Sequence, residues 1–321
     1  MTIDLSPLAA LDKLLFDIPV APVQGHRFQP TGFPDLGAAT YETQTGTSLL
    51  VESAQSMANR LESTCWDDAT QALVPELAGL SYIRVNDKNG KFLTSTLLEA
   101  HRINSVYVEK SDSEKFHKML KEEIGYEEAK PIDRPAFVRA VFKYDVGSLL
   151  HGTFLESIGG RLRLARAISA FIEADGVDVA ASGGVKNDHV MPGKDEAGAT
   201  KKTSADGYGN IPFHRDEFTA KSITLFANID LAQIRGYGLG SDATKLLTLL
   251  ALFKLRGLLD GKLRLRTACD LKITADLVTA TNANFALPSR PDIVADLRGA
   301  IAACAPMFAK EQGVTTVTYA A

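Results

Sequence analysis

The sequence lacks the marks of several protein classes. Its three cysteines, Cys65, Cys269 and Cys304, show neither pairing nor the spacing of metal ligands, so we expect a protein of the reducing cytoplasm. No apolar run approaches the roughly 20 residues that a membrane-spanning helix needs. The first residues, MTIDLSPLAALDKLLFDIPV, have no basic region, and charges interrupt their apolar run. We therefore do not expect a signal peptide.

Signatures of catalysis are also missing from the sequence. No HExxH, paired CxxC or GxSxG motif occurs, and the six histidines are dispersed. Asp145, Asp188 and Asp216 fall near predicted loops and could bind a metal ion, although acidic loop residues usually only favour turns. No motif in the sequence indicates a particular reaction, and we expect no catalytic residue, no metal site and no cofactor.

One glycine-rich stretch, RGYGLG at residues 235–240, lies between a predicted strand and a predicted helix. Its G-x-G-x-G spacing differs from the G-x-G-x-x-G of dinucleotide-binding folds, and no acidic strand end follows. Three interpretations stay open: a nucleotide-cofactor site, a backbone-amide nest that touches a phosphate, or a plain turn. A second stretch, MPGKDEAG, is rejected as a phosphate-binding loop because Asp195 replaces the required Ser or Thr.

The chain carries a net charge of −4, which is unevenly distributed. Residues 1–133 hold 12 Lys and Arg against 20 Asp and Glu, whereas residues 134–321 hold 23 against 19. The total argues mildly against nucleic-acid binding, while the split permits a basic surface on the C-terminal part. The hydrophobic fraction of 45% is that of an ordinary globular protein.

Hydrophobic periodicity predicts strands and helices in alternation. Apolar residues from Leu50 to Leu61 recur at helical spacing, and Ser111 to Glu114 resembles a capping box before a helix that stops at Gly125. The pattern indicates an α+β sandwich with helices on one sheet face and the other face free for a ligand. The remaining predicted elements are strands at LSYIRVND, RPAFVRAVFKYD, VDVAASGGV, KSITLFANIDLAQI and KLRLRTACDLKI, and helices at GGRLRLARAISAFIEADG, at SDATKLLTLLALFKLRGLLDG and from near Ser289.

Residues 186–220 have a composition that is unusual inside a compact domain. They are rich in Gly, Lys and Asp and show no hydrophobic period over a length that few ordinary connections reach. Such a segment is either a functional projection or disordered when no partner is present.

The helix that contains Leu61 follows a run of turn formers that begins at Arg27. Its polar side carries Gln55, Ser56 and Asn59, between Glu52 and Glu62, with Arg60 at the edge. Uncharged donors behind a stiff loop suit the phosphates and sugars of a nucleic acid, although a solvated helix face would have the same composition.

Six blocks stand in order between about residues 25 and 190: RFQPTGFPDLGAATYE, LLVESAQSMANRLE, LLEAHRINSVYV, FKYDVGSLLHGTFL, GGRLRLARAISAFIEA and ASGGVKND. Together they resemble the backbone subunit of the type I-G (formerly I-U) CRISPR surveillance complex, a branch of the Cas-seven family. The resemblance implies one domain over residues 1–321, an RNA-recognition-motif-like (ferredoxin-like) α+β palm. Residues 92–133 would be its helical insertion and residues 186–220 its thumb-like loop.

The resemblance also implies a non-catalytic function. Several copies would polymerise head to tail along the CRISPR RNA, which would pair with target DNA. Further implied partners are the large subunit, a Cas-five/Cas-six-like subunit and a recruited helicase-nuclease. The implied RNA-binding residues are Arg27, Gln55, Ser56, Asn59, Arg60, Arg161, Arg163, Lys186, Asn187, Lys201, Lys202, Arg215, Gly236 and Gly238, with Arg166 beside them.

Two rival functions stay open from the sequence. One is an RNA-cleaving backbone subunit, as in type III systems, which uses a loop Asp that no position here matches clearly. The other is a nucleotide-binding enzyme that uses the RGYGLG stretch.

Overall fold

A computed structural model describes residues 2–320 apart from 34–35, 45, 129, 157, 159, 161, 187–209 and 310. These residues form eighteen strands and eight α-helices. The strands are β1 (Lys13–Pro22), β2 (Gly32–Phe33), β3 (Gly37–Ala38), β4 (Thr40–Thr43), β5 (Gly46–Glu52), β6 (Trp66–Asp67), β7 (Ala72–Leu73), β8 (Tyr82–Asp87), β9 (Phe92–Ser95), β10 (Thr153–Leu155), β11 (Leu162–Leu164), β12 (Ile168–Asp175), β13 (Asp178–Lys186), β14 (Ile211–Thr219), β15 (Ser222–Asp230), β16 (Arg264–Arg266), β17 (Cys269–Ile273) and β18 (Val314–Tyr319). The helices are α1 (Ala54–Ser63), α2 (Val106–Glu109), α3 (Lys115–Ile124), α4 (Arg134–Tyr144), α5 (Val146–His151), α6 (Leu231–Gly236), α7 (Ser241–Gly261) and α8 (Arg290–Cys304).

Seven strands form the main sheet, in the order β16-β17-β1-β15-β12-β5-β4. Every pairing in it is antiparallel. The central pair, β12 and β15, holds one register from end to end and places Phe171 opposite Phe226. With its helices, this sheet makes the chain an α+β protein, as the sequence predicts.

The two faces of the main sheet differ in burial. Along β12, Ile168, Ala170 and Ile172 are buried against the helical side, where α1 and α5 contact the strand and α7 packs against both helices. Phe171 lies on the opposite face, half-buried, with its ring stacked on that of Phe226 at 5.1 Å between centroids. The sheet therefore has one face covered by helices and one that presents an aromatic pair.

A second, three-stranded sheet contacts α2. Its order is β18-β8-β9, and the C-terminal strand β18 runs parallel to β8. Residues 92–133, the predicted helical insertion, begin with β9 of this sheet and continue into α2 and α3. The insertion is therefore part strand and part helix in its described residues.

A two-stranded ribbon, β13 and β14, extends from β12 and β15. It pairs Asp178 with Thr219 and Lys186 with Ile211 in one unbroken antiparallel register. The sequence predicts a loop over 186–220, and its end is instead strand β14. The ribbon exposes several apolar side chains, including Val185 and Phe213.

The predicted strand at residues 134–145 is wrong, because this segment is α4. Asp133 caps the helix by accepting a hydrogen bond from the Ala136 amide at 2.9 Å, and Pro135 occupies the first turn. Phe137, Val141 and neighbouring apolar residues are then buried on one helical face. The weak alternation in the sequence concealed this helical period.

The predicted helix at residues 159–176 is also wrong, because its described residues hold β11 and β12. Leu164, Ile168 and Ile172 fit a helical stripe, but alternate residues from Ile168 to Ala174 are buried, which is the period of a strand. Pairing on both sides, with β5 and β15, satisfies the backbone of β12 and decides in favour of the strand.

Two predicted helix starts are also corrected. Leu50 belongs to β5, and α1 begins only after Ser53, whose hydroxyl accepts from the Ser56 amide at 3.3 Å. The predicted capping box at Ser111 does not form, because the next three residues adopt left-handed conformations with φ between 47° and 66°. Among the described residues, no helix is both long and apolar enough to cross a membrane.

Candidate nucleic-acid interface

The polar face of α1 is the first part of the candidate interface. Gln55 and Asn59, one helical turn apart, are exposed, whereas Ser56 is half-buried. The opposite face buries Met57 and Leu61 in the core. Two amide side chains therefore face outwards from a helix that the core holds rigidly.

Arg60 has a structural role besides its predicted one. Its guanidinium donates to the backbone carbonyls of Arg264 at 3.1 Å and Leu265 at 2.6 Å. It also lies 3.7 Å from the buried carboxylate of Glu52, which Arg266 contacts closely as well. This arginine joins α1 to β16, and an RNA contact through it stays a prediction.

Glu62 does not lie on the exposed polar face that its helical spacing predicts. It is buried and accepts two hydrogen bonds from the guanidinium of Arg102, at 2.7 Å and 2.5 Å. Arg102 is itself buried and has a left-handed backbone, with φ of 52°. The pair fixes the segment after β9 against α1.

Arg27 and Arg215 are brought together through a shared carboxylate. Glu217, which is buried, lies 3.8 Å from Arg27 and 2.6 Å from Arg215. Phe28 and Phe218 exchange backbone hydrogen bonds beside them. The turn-rich loop is therefore fixed to the base of the β13–β14 ribbon.

A cleft of about 510 Å³ separates this loop from β14. It is lined by Gln29, by residues around Gly32 and Gly37, and by His214 and Arg215. A Cβ at Gly32 would lie 2.7 Å from the carbonyl oxygen of Gly37, and Gly37 has a φ of +71°. Glycine is required at both positions to keep the loop closed.

A second cleft, of about 600 Å³, lies near the start of α1; we call it the His151 cleft. Arg166 lines it and donates to the Ala54 carbonyl at 3.3 Å. Arg163 also lines it, with its guanidinium 4.4 Å from the centre of the Phe154 ring. The structure thus places two predicted cations, Arg163 and Arg166, at a cleft beside the first turn of α1.

Buried ionisable groups stand at both ends of α5, with Asp145 before its first residue and His151 as its last. Burial raises the pKa of Asp145 to about 6, although a hydrogen bond from Ser148 at 2.6 Å favours its charged form. Burial holds the pKa of His151 well below its usual value, and the positive charge of the buried Lys254 adds to this effect. His151 is therefore neutral at physiological pH.

The predicted glycine positions lie close to the same cleft. Gly236 ends α6, and Gly238 follows it with a φ of +67°. From α6, Gln233 donates to the carbonyl of Ala165, a residue that lines the His151 cleft, at 2.7 Å. Tyr237 ties the loop to the carbonyl of Leu149 at 2.6 Å. The stretch RGYGLG is thus part helix and part loop, and its role as a phosphate nest stays a prediction.

Among the remaining predicted RNA-binding residues, the structure describes only Lys186. Lys186 ends β13 and is exposed. Arg161, Asn187, Lys201 and Lys202 lie outside the described residues. Within the described ranges, no cluster of three His, Cys, Asp or Glu side chains could hold a metal ion.

Sequence reasoning missed several residues of these surfaces. It placed Phe171 in a predicted helix, whereas its half-buried ring lies on the sheet face opposite the helices. It gave no role to His101, Arg102 or His151, although all three stand in quoted blocks: the first two in LLEAHRINSVYV and His151 in FKYDVGSLLHGTFL. The alternation that begins at Ile168 is the sequence signal that could have placed Phe171 on a strand. The cleft residues have no such signal, because only tertiary packing brings them together.

Comparisons with solved structures give low similarity. Two chains titled "CRISPR RNA-guided surveillance complex, pre-nicking" and "CRISPR RNA-guided surveillance complex" are 13% and 14% identical, each with a TM-score of 0.37. The alignments cover 83% of this chain and 76% of the first, and 82% of this chain and 67% of the second. Csc2 of Thermofilum pendens is 10% identical, with a TM-score of 0.30 over 96% of this chain and 80% of its own. TM-scores below 0.5 do not establish a common fold.

Comparisons of sequence are more informative. No curated protein sequence gives a significant match. The profile of one family, described as "CRISPR-associated protein GSU0053", matches residues 14–179, from β1 to the start of β13. This range contains α1, Arg102, the His151 cleft and most of the main sheet's central strands. Since the match spans more than half of the chain, this protein belongs to the CRISPR-associated GSU0053 family.

Proposed function

We propose that this protein is the RNA-binding backbone subunit of a type I-G CRISPR surveillance complex. Membership of a CRISPR-associated family supports the setting. The observation that carries the RNA-binding role is the neighbourhood of α1: Gln55 and Asn59 are exposed on this helix, and Arg166 donates to the carbonyl of its first residue, Ala54. Amide and guanidinium groups can donate hydrogen bonds to phosphate and sugar oxygens. Such contacts carry no sequence information, so they suit a subunit that must hold any guide sequence.

The strand order supports an RNA-recognition-motif-like palm. Four adjacent strands, β17-β1-β15-β12, alternate in direction. In chain order they are the fourth, first, third and second of this set, the order of a ferredoxin-like βαββαβ sheet. Helix α1 lies between the first two in sequence, and α7 between the last two.

The RNA path that we propose runs along α1 rather than over the sheet face opposite the helices. Stacking on sheet aromatics is how many RNA-recognition motifs hold bases, and Phe171 and Phe226 form such a pair. Asp17 stands directly opposite Phe226 on β1, and Glu173 and Asp175 lie further along β12 on the same face. These carboxylates repel a phosphate backbone.

The proposed subunit is non-catalytic and assembles head to tail. Identical subunits joined by such an interface form an open filament whose length the RNA would set. The exposed ribbon side chains Val185 and Phe213 fit a contact with the next copy. Base pairing between guide and target DNA would supply specificity, with the large subunit, a Cas-five/Cas-six-like subunit and a helicase-nuclease as further partners.

The rival RNA-cleaving function requires an accessible aspartate. Asp145 is buried and hydrogen-bonded to Ser148, whereas Asp216 is exposed on β14 and Asp188 lies outside the described residues. We expect Asp188→Asn and Asp216→Asn to leave RNA integrity unchanged in assays with divalent metal. If the wild type cleaves RNA with divalent metal and either variant abolishes this cleavage, the protein is an RNA-cleaving subunit rather than a non-catalytic one.

The proposed function is tested by expressing the protein alone, beside a CRISPR array and with its companion subunits. The absorbance ratio at 260 and 280 nm and the mass by light scattering are recorded for each. We expect a high-mass species loaded with RNA, whose protected lengths increase in fixed steps. A nucleic-acid-free monomer in all three preparations would contradict the proposal.

A further inference from the structure

The His151 cleft contains buried polar groups that have no hydrogen-bond partner among the described residues. His151 is only 1% exposed and lines the cleft, yet within the described part of the chain neither ring nitrogen has a hydrogen-bond partner. The same holds for the hydroxyl of Thr153 and the side-chain oxygen of Asn104, which line the cleft with it. Buried polar groups in folded proteins almost always have partners, so three at one cleft indicate a ligand site.

These groups offer both donors and acceptors. The neutral imidazole of His151 has one donating and one accepting nitrogen, the Thr153 hydroxyl does both, and the Asn104 oxygen accepts. A bare anion supplies only acceptors, so the accepting His151 nitrogen and the Asn104 oxygen would still have no donor. The ligand should therefore also carry hydroxyl or amine groups.

The outer part of the cleft is cationic. Arg163 and Arg166 are exposed there with His101, and Glu156 is the opposing carboxylate. Arg102 adds no free charge, because Glu62 pairs with it. The exposed charges favour an anionic group at the entrance.

The cleft also has a size and an aromatic surface that suit a nucleotide. Its volume of about 600 Å³ lies within the usual range for small-molecule sites. Phe154 is half-buried under the Arg163 guanidinium, an arrangement into which a planar base can stack. Gly152 keeps the chain close to β11, because a Cβ there would lie 2.8 Å from the Leu164 carbonyl oxygen.

We propose that the His151 cleft binds one nucleotide unit of single-stranded RNA, with its phosphate at Arg163 and Arg166 and its sugar or base at His151, Thr153 and Asn104. This inference deepens the proposed function and rests on it. A free mononucleotide has the same chemistry, and the experiment distinguishes the two sources.

The experiment compares matched variants for binding of a fluorescent 12-nucleotide RNA and of adenosine monophosphate. Thr153→Val removes the cleft hydroxyl with little change of shape. Thr315→Val is its control, since Thr315 is also buried with an unpartnered hydroxyl but lies on β18. Arg163→Gln is paired with Arg298→Gln, an exposed arginine on α8. Thermal unfolding of every variant checks that it is folded.

We expect Thr153→Val and Arg163→Gln to weaken RNA binding at least fivefold, while both controls stay within twofold of wild type. The His151 ring resonances should shift on addition of RNA in ¹⁵N NMR spectra, which a purely structural histidine would not do. Equal RNA affinity in folded Thr153→Val, Arg163→Gln and wild type would overturn the site but leave the proposed function standing. Saturation of the cleft by adenosine monophosphate while RNA leaves the His151 resonances unmoved would overturn the assignment to RNA. Absence of RNA binding by the wild type, with companion subunits present, would instead remove the proposed function.

Discussion

Phe28 and Phe218 exchange both of their backbone hydrogen bonds, each at 2.9 Å, although they lie in distant parts of the sequence. Both side chains are buried. The pairing attaches the turn-rich loop to the base of the β13–β14 ribbon and positions Arg27 and Arg215 on either side of Glu217. The stiffness of that loop therefore derives from a tertiary contact as well as from its Pro and Gly residues.

Replacement of Phe218 should be costly. Phe218→Ala removes a buried ring and leaves a cavity, so we expect a loss of about 3–5 kcal/mol in the free energy of unfolding. Phe213→Ala, on the same strand, is the control, because its side chain is 51% exposed and should change stability by less than about 0.5 kcal/mol. Urea denaturation measures both. Equal effects would mean that the ribbon base is not packed as described.

The Glu62–Arg102 pair should also be essential for stability. Glu62→Gln leaves the buried guanidinium without its anion, and we expect a loss of about 3–5 kcal/mol. Glu127→Gln breaks the exposed ion pair with Lys130, 2.8 Å long, and should cost at most about 0.5 kcal/mol. Chemical denaturation compares the two variants. A loss below about 1 kcal/mol for Glu62→Gln would show that water reaches Arg102 in solution.

Substitution of Gly152 tests how closely the backbone at residue 152 approaches β11. Its φ of +79° and its contact with the Leu164 carbonyl both oppose a side chain, so Gly152→Ala should lower the melting temperature by several degrees. Gly299→Ala, in the middle of α8 with open space around its Cα, should instead raise stability by about 0.5–1 kcal/mol. Differential scanning calorimetry of the two proteins gives the sign of each change. A neutral Gly152→Ala would contradict the described turn.

Asp145 should make stability depend on pH. Its pKa of about 6 in the folded protein exceeds that of an unfolded aspartate, so the native state binds more protons between about pH 4 and pH 6, and stability falls as pH rises through this window. Asp145→Asn removes this titration. Relative to wild type, the variant should gain up to about 3 kcal/mol between pH 4 and pH 7.

Asp67→Asn is the control for the Asp145 measurement, because its stability relative to wild type should change with pH in the opposite direction. The pKa of Asp67 is lowered, chiefly by the Thr70 hydroxyl, so Asp67→Asn should lose stability relative to wild type as pH rises. Urea titrations at several pH values measure both variants. If the difference between Asp145→Asn and wild type does not change with pH, the carboxyl is not buried in solution.

The uncharged face of α1 should contribute to RNA affinity without contributing to its salt dependence. Gln55→Ala with Asn59→Ala should weaken binding of single-stranded RNA several-fold and leave the slope of log K against log salt unchanged, because no phosphate charge is neutralised. Fluorescence anisotropy over a range of salt concentrations measures both quantities. Phe171→Ala, on the acidic sheet face, should stay within twofold of wild-type affinity. A larger loss of RNA affinity for Phe171→Ala than for the α1 variant would show that the RNA binds at the sheet face instead.

Much of the secondary structure could be predicted from local sequence. The helix predicted over residues 241–261 has those bounds in the structure, and α8 starts beside Ser289 as expected, with Ser289 as its cap. Helix α3 stops at Gly125, which has a left-handed conformation. These signals are local, since a cap or a C-terminal glycine acts within one helical turn. Segments 134–145 and 159–176 were predicted wrongly because their apolar residues fit both periods. The Asp133 cap and burial along one face make the first a helix, and the sheet neighbours of β12 make the second a strand.

The α+β class, the amphipathic α1 with Gln55 and Asn59 on its polar face, and the family to which the chain belongs can all be inferred from the amino-acid sequence. The roles of the charged side chains follow from tertiary contacts instead. Glu62 is buried and pairs with Arg102, Arg60 donates to the carbonyls of β16, and Arg163, Arg166 and His151 lie at one cleft. The difference arises because burial and pairing of an ionisable group depend on neighbours from distant segments, whereas periodicity indicates only which side of an element is apolar.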